Sequence, residues 1–465
     1  MRLFNRYYTS YDLLLVLGDF VLVLGASAAV RLLLDNGGLL SEEPWLDPTV
    51  HGFAMALIVV VAFYYSDMYF IDQSLSMREL LERFIAGLGA ACIAMGILSY
   101  PIPNFGKSIY LVEMVGLGFC LCLWRLGFMR AIRQAGIRVK VLIVGFRTIG
   151  KMIAEELYLR QKLGMDVVGF VGHQPGAVTL SYGNPRNIEI PLLVPPSLSG
   201  LIVTNRIDRI LLASADPGSQ AYFPDLVAAK AMGIPIEDCH SFYERLASKI
   251  AVVDLPPEWI ALSEGFRRDR LVLAAKRIID ILVSFLGLVF SAPIILLTAI
   301  AIKLESHGPV FYRQVRVGQN EQRFVLYKFR SMTENAEAIM GPVWASESDP
   351  RATRVGAFIR KLRIDEIPQM INVLKGEMSF VGPRPERPFF VEQLKQTIPY
   401  YDLRHTVKPG ITGWAQICYR YGDSEKDAVE KLQYDLYYIK HMSPIFDVQI
   451  IFESLKVVLL RSGAR

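Results

Sequence analysis

The densest chemistry in this sequence lies at Arg363-Ile364-Asp365-Glu366-Ile367-Pro368. Asp365 and Glu366 are adjacent carboxylates. Proline has no N–H and sits best in the first turn of a helix, so Pro368 puts Asp365 near a helix N-terminus. The dipole there favours an ionised carboxylate and a bound phosphate alike. An ionised carboxylate can attack phosphorus and form an acyl phosphate. Its neighbour can hold a Mg²⁺ that bridges a diphosphate, because Mg²⁺ takes few carboxylates and completes its shell with phosphate oxygens and water. Arg351, Arg354, Arg360, Lys361, Arg363, Arg384 and Arg387 crowd the same stretch of chain. Guanidinium forks match phosphate oxygens and offset charge in phosphoryl transfer. An Asp-Glu pair taken alone reads more readily as a helix cap, with the arginines facing acidic lipid.

The elements that must position these groups include membrane segments. The chain has 465 residues, enough for two or three modules, and is 52% hydrophobic. Its mean hydropathy is +0.32, high for a soluble protein. Net charge is +5. Such a mild excess suits a membrane surface or anionic substrates and is too diffuse for nucleic acid. Apolar runs at about 11–34, 51–71, 80–100 and 109–129 each approach the roughly 20 residues needed to cross a bilayer. Arg2 and Arg6, then Arg78 and Arg83, then Arg125, Arg130, Arg133, Arg138 and Lys140 flank them on alternate sides, whereas the first loop carries Asp35, Glu42 and Glu43. Both ends of the bundle are therefore expected in the cytoplasm. Asp12 and Asp19 share one face of the first span and read as an interhelical polar contact. The five cysteines, Cys92, Cys120, Cys122, Cys239 and Cys418, contain no Cys-x-x-Cys pair. They are expected as buried thiols in a reducing compartment.

Further along, Val139–Gly145 reads as a buried strand, Gly145–Gly150 as a glycine turn and Lys151–Leu157 as a helix, the first half of a βαβ unit. Asp166–Val171 and Ile207–Ala213 are further strand candidates. A dinucleotide site needs a glycine where Arg147 stands, so a degenerate Rossmann-like module serving assembly or regulation is expected. A second apolar run, Ile281–Ile300, has basic flanks on both sides: Arg268, Arg270, Lys276 and Arg277 before it, and Lys303, Arg313 and Arg316 after it. Pro293 falls near its middle, with Ser291 two residues earlier. Proline can kink a helix sharply, and a nearby serine hydroxyl can satisfy a freed carbonyl. A re-entrant helix with its break at Ser291 and Pro293 is expected. A plain span would put everything after 305 outside the cell.

From residue 308 the motifs become specific: Gly308-Pro-Val-Phe-Tyr-Arg-Gln-Val-Arg-Val-Gly318, Lys328-Phe-Arg-Ser-Met332, the run Arg363–Pro385, and Lys408-Pro-Gly-Ile-Thr-Gly-Trp-Ala-Gln416. This string closely resembles the bacterial sugar transferase family, the polyprenyl-phosphate hexose-1-phosphate transferases, over roughly 268–465. Four N-terminal spans plus a degenerate Rossmann-like domain resemble the long members that initiate exopolysaccharide or O-antigen synthesis. The resemblance implies three modules: a four-helix transmembrane domain at 1–135, a Rossmann-like α/β domain at 136–262, and an α/β catalytic domain at 263–465 with a re-entrant membrane helix at about 272–304. It implies a multi-pass protein of the bacterial inner membrane with its catalytic domain in the cytoplasm. Its partners would be a UDP-hexose, undecaprenyl phosphate and the lipid bilayer. It further implies double displacement: Asp365 attacks the sugar-bearing phosphorus and expels UMP, and the lipid phosphate then attacks the covalent intermediate. Glu366 would hold Mg²⁺. Arg384 would contact phosphate or uridine, with Lys328, Arg330, Arg360 and Arg363 as further anion contacts.

One departure is visible, since short family members have serine directly before the proline and here Ala292 intervenes. Gly410 and Gly413 read as a tight turn beside Trp414 and Gln416, placed for packing. Ile450–Leu460 reads as an interfacial helix, and His441 as structural, because no metal-spaced partner is visible. A homodimer would give the middle domain a task. Two rival readings are a membrane-bound nucleotide-sugar dehydratase or epimerase and a non-catalytic scaffold of polysaccharide assembly. The first needs an intact glycine fingerprint and a downstream Tyr-x-x-x-Lys, but Tyr158 and Lys162 lie in the first helix after the turn, out of reach of a nicotinamide. The second should have lost Asp365, Glu366 or the arginines.

Overall fold

In this computed structural model the described residues are 2–3, 6–7, 10–36, 48–66, 68–69, 77–99, 107–135, 138–145, 147–159, 164–172, 176–180, 188–195, 197–213, 221–266, 269–333, 351–419 and 424–460. A short antiparallel pair, β1 (Arg2–Leu3) and β2 (Arg6–Tyr7), precedes four helices: α1 (Ser10–Asn36), α2 (Pro48–Tyr65), α3 (Met77–Ser99) and α4 (Lys107–Ala135). They match the four apolar runs. Leu15, Met55, Phe63, Ala91 and Leu121 form their shared core, while Leu17, Phe53, Ile93, Ile97 and Phe119 face outward, as lipid-facing side chains would. Asp19 is fully buried and pairs with Arg125, which also donates to the Met68 carbonyl at 2.9 Å. The expected polar contact thus ties the first helix to the fourth and to the turn after the second. The side chain of Asp12, loop residues 37–47 and 100–106, and Lys162 lie outside the described residues. Among the cysteines only Cys239 is buried, and Cys120 is exposed on the outer face of α4. The expectation of buried thiols fails there because an apolar helix offers cysteine an outward face as readily as an inward one.

The middle region folds around β3 (Val139–Val144), α5 (Thr148–Leu159), β4 (Met165–Val171), β5 (Gly176–Leu180), β6 (Ile188–Leu193), α6 (Leu198–Asn205), β7 (Arg209–Leu212), α7 (Phe223–Ala231), β8 (Ile236–Asp238) and α8 (Cys239–Ala247). The sheet order is β5-β6-β4-β3-β7-β8. All neighbours are parallel except β5 against β6. The five parallel strands therefore stand third, second, first, fourth, fifth, the order of a doubly wound half. One crossover departs from that plan: the link between β4 and β6 carries the strand β5.

After α9 (Pro257–Leu262), the helix α10 (Arg270–Glu305) runs 36 residues. It continues as one helix through Pro293, so the break expected at Ser291 and Pro293 does not divide it. Proline removes one backbone donor and crowds the preceding turn, which bends a helix without having to end it. This helix and the stretch Leu80–Ile97 are long and apolar enough to cross a membrane. A hairpin follows, β9 (Phe311–Val317) and β10 (Arg323–Phe329). Then come α11 (Arg354–Lys361), α12 (Gln369–Lys375), β11 (Ser379–Val381), α13 (Pro388–Thr397), β12 (Gly410–Thr412), α14 (Trp414–Cys418), α15 (Glu425–Lys440) and α16 (Pro444–Leu460). Their core holds Trp414, Tyr437, Phe446 and Ile450, and Ile250, Val252 and Leu255 join it from the chain before α9. At the same seam Glu244 accepts from Lys440 at 2.7 Å and bonds His441, while the Trp414 indole donates to the Ser248 carbonyl at 2.9 Å.

Candidate active site

Asp365 and Glu366 lie in a 3-10 turn, Ile364–Glu366, directly before α12, and both are buried. Pro368 caps α12, so the carboxylates stand one turn ahead of the helix proper. Arg363, which enters this turn, has φ 58, a left-handed conformation uncommon outside glycine. Such strain persists where the surroundings impose it. Here Arg363 Nη1 reaches Glu366 Oε2 at 3.4 Å.

Glu366 gathers three cations. Arg384 Nη2 donates to Oε1 at 2.7 Å, Lys328 Nζ approaches the same oxygen at 3.5 Å, and Arg363 completes the set. Burial alone would raise the Glu366 pKa, but the charges of Arg384, Lys328 and Arg363 outweigh it and hold the group well below the carboxylate range. Asp365 moves the other way. Burial, and then the negative charge of Glu366, push it above its usual value. Burial depresses Lys328 even beside Glu366. Two adjacent carboxylates are thus divided into a firmly ionised one engaged by cations and a more basic one. Among the described residues no donor reaches the Asp365 carboxylate within hydrogen-bond distance.

The cations come from separate elements. Lys328 is on β10, paired with Tyr312 on β9. Arg384 follows β11, whose parallel partner is β12. That approach explains three glycines. A Cβ on Gly382 would stand 2.4 Å from the Lys408 carbonyl, one on Gly410 2.1 Å from Gly382 N, and one on Gly413 2.2 Å from Gly382 O. Backbone meets backbone, and only glycine fits. Gly410 and Gly413 therefore serve packing, as do Trp414, which is buried, and Gln416, which donates to the Ile411 carbonyl at 3.2 Å.

Not every basic residue marked by the sequence converges here. Arg330 donates to the Ser306 and His307 carbonyls, at 2.8 and 2.5 Å, and so ties the end of α10 to β10. Arg360 is half-buried on α11 and pairs with neither Asp365 nor Glu366 among the described residues. Other contributors were not expected at the site, Lys276 and Arg277 having been read only as a basic flank of the apolar run. Lys276 Nζ donates to Asp447 at 2.6 Å and to the Val381 carbonyl at 2.9 Å. Asp280 accepts from Ser379 Oγ and Phe380 N. Arg277 donates to the Val373 and Leu374 carbonyls. These groups on α10 hold both β11 and the end of α12. A Lys and an Asp four residues apart in an apolar run were the available signal, because that spacing marks one helical face. Behind Arg384 lies a buried pair, Arg404 with Asp435 at 2.9 Å. Burial pushes Asp435 up to about 6 against the opposing charge of Arg404.

A carboxylate pair of unequal basicity, with Arg384, Lys328 and Arg363 gathered on Glu366, is chemistry suited to binding and transferring a phosphoryl group. The family model described as bacterial sugar transferase matches residues 271–461. The chain is 36% identical over 325 residues to the UDP-N-acetylgalactosamine-undecaprenyl-phosphate N-acetylgalactosaminephosphotransferase of Aeromonas hydrophila, covering 68% of this chain and 75% of that protein. It is 34% identical over 361 residues to the UDP-glucose:undecaprenyl-phosphate glucose-1-phosphate transferase of Escherichia coli (strain K12), covering 74% and 72%. A Xanthomonas campestris protein of the same name is 28% identical over 472 residues, or 97% of this chain and 94% of that one. This chain belongs to the bacterial sugar transferase family.

Proposed function

We propose that the protein transfers a hexose-1-phosphate from a UDP-sugar to undecaprenyl phosphate and releases UMP, as the first membrane step of exopolysaccharide or O-antigen synthesis. The observation that carries this reading is the split dyad: Asp365 raised, Glu366 lowered and held by Arg384, Lys328 and Arg363. The Asp365 carboxylate attacks the phosphorus that bears the sugar. A new P–O bond forms to Asp365, the P–O bond to the UMP oxygen breaks, and UMP leaves with that electron pair. An oxygen of the lipid phosphate then attacks the same phosphorus, and Asp365 leaves as a free carboxylate. Arg384, Lys328 and Arg363 offset charge on the transferring group.

The donor set fits Mg²⁺. It consists of hard carboxylate oxygens, Glu366 Oε2 has a long contact to Arg363 at 3.4 Å, and repulsion from Glu366 helps to raise Asp365. Glu366 would hold the ion, which when bound neutralises diphosphate charge.

Membrane association supports a lipid acceptor. Both ends of α10 rest on one body: Lys276 and Asp280 on β11, Ile302 against Phe329 and Ile359, and Glu305 accepting from Val355 N at 3.1 Å. A helix whose two ends are held by the same body would have to bend in order to dip into the bilayer and return, and Pro293 is where a missing donor allows that bend. Phe285, Phe290, Leu296 and Leu297 on α10, with Ile445, Val448 and Leu455 on α16, offer the bilayer a continuing apolar face. The Glu244 and Lys276 clusters would then lie on the cytoplasmic side.

The test is UMP release by the purified chain in nanodiscs with Mg²⁺, undecaprenyl phosphate and a panel of UDP-sugars. One donor should give UMP with the wild type, and Asp365→Ala and Glu366→Ala should give none. A phosphosugar should be trapped on Asp365. Turnover retained in Asp365→Ala would overturn the covalent route. No release from any donor by folded protein would overturn the reaction.

A further inference from the structure

The loop that carries Arg384, Gly382-Pro383-Arg384-Pro385, contains two prolines, so only two of its four residues have a backbone donor. It cannot satisfy its carbonyls by pairing with itself. Each is met from outside or lies close against glycine backbone. Gly382 N donates to the Thr412 carbonyl at 2.9 Å, and the Pro383 carbonyl accepts from Gly410 N at 2.9 Å. The next two carbonyls take side chains. Arg404 Nη2 donates to the Arg384 carbonyl at 3.0 Å, and Arg316 Nη1 to the Pro385 carbonyl at 2.9 Å.

Arg404 is itself fixed on two further sides. Nη2 also donates to Asp435 Oδ2 at 2.9 Å, and Nη1 donates to the Tyr401 hydroxyl at 2.7 Å. Arg404, Asp435 and Tyr401 are all buried. A buried ion pair contributes little net stability over apolar residues of the same volume. Its geometric effect is different in kind, because a planar fork fixes the direction of each bond it makes. Arg404 bonds the backbone of the residue whose side chain makes the shortest contact to Glu366, at 2.7 Å.

We propose that Arg404, held by Asp435, is a positioning residue for the transfer reaction: it sets the main chain of Arg384 and thereby aims that guanidinium at Glu366. This inference rests on the reaction given above. A shift of about 1 Å at a charged group in an active site can cost about 100-fold in rate.

The experiment is a double-mutant cycle on the full chain in nanodiscs, with UMP release as readout. Removing Arg404 alone would leave Asp435 buried and unpaired, so the replacement is Arg404→Met with Asp435→Leu. Arg404→Lys is the second variant; it keeps the charge beside Asp435 and loses the fork. Thermal unfolding checks that each variant is folded. In an otherwise wild-type chain, both replacements should lower kcat, by about 10- to 100-fold for the paired variant, with a smaller change in KM for the UDP-sugar. In an Arg384→Met background neither should lower kcat further, because the group they position is gone. If the losses multiply in that background, or if folded variants keep wild-type kcat, the inference is overturned and Arg404 is only a core ion pair. A wild type that releases no UMP from any donor would overturn the reaction itself, and this inference with it.

Discussion

Two loops of this chain place a glycine two residues before an arginine at the end of a parallel strand. After β3 stands Gly145-Phe146-Arg147, and after β11 stands Gly382-Pro383-Arg384. Their surroundings differ. Gly145 has φ 96, and its N–H bonds the Val171 carbonyl at 2.9 Å, which is ordinary turn chemistry. A Cβ on Gly150 would stand 3.2 Å from the side chains of Ile143 and Phe170. Arg147 is half-buried and faces no acidic partner among the described residues. Arg384 meets Glu366, its carbonyl is held by Arg404, and its glycine is pressed between other backbones. The same local pattern is a structural turn in one place and part of a charge network in the other. The difference lies in what the rest of the fold brings up behind it.

The largest expected contrast is at the two arginines. Arg384→Met should lower UMP release by about 10²- to 10³-fold, the usual cost of one charge-stabilising donor. Gly382→Ala should destabilise by about 3 kcal/mol or more, seen in thermal unfolding, because the carbonyl it would strike is main chain and cannot rotate away. His405 should give the next effect. Burial, then the charges of Arg404 and Lys395, hold its pKa at about 3, against about 6.5 in an unfolded chain. Above pH 6.5 both states are neutral. As pH falls from 6.5 towards 3, only the unfolded chain takes the proton, so stability is lost at up to about 1.4 kcal/mol per pH unit. His405→Gln should lack that loss, and denaturant titrations across this range should show the two curves diverging. Gly150→Ala should cost about 1 kcal/mol or less, since side chains can give. Smallest of all, Arg147→Met should leave UMP release within about twofold of wild type; a loss approaching that of Arg384→Met would break the comparison.

Much of the architecture was legible because it depends on local pattern. The four apolar runs became α1–α4, and the expected strands at 139–145, 166–171 and 207–213 appear as β3, β4 and β7. Length and hydrophobic period suffice for such segments. The proline break in α10 was less legible, because a missing donor permits a kink without requiring an interrupted helix. β5, which stands where a doubly wound half would carry a crossover helix, left no signal that distinguishes it from a loop.

Chain order is enough to show the residue types of the site: the adjacent carboxylates, the arginines, and the glycines and prolines whose backbone limits are intrinsic to them. Tertiary structure alone decided the assignments. Of the basic residues near the dyad, Lys328, Arg363 and Arg384 reach Glu366, whereas Arg330 ties down the end of α10. Arg404 and Asp435, 31 positions apart in sequence, meet behind Arg384. The physical reason is range. Backbone preference acts over a few residues, whereas the energy of a buried charge depends on every group that the fold packs around it.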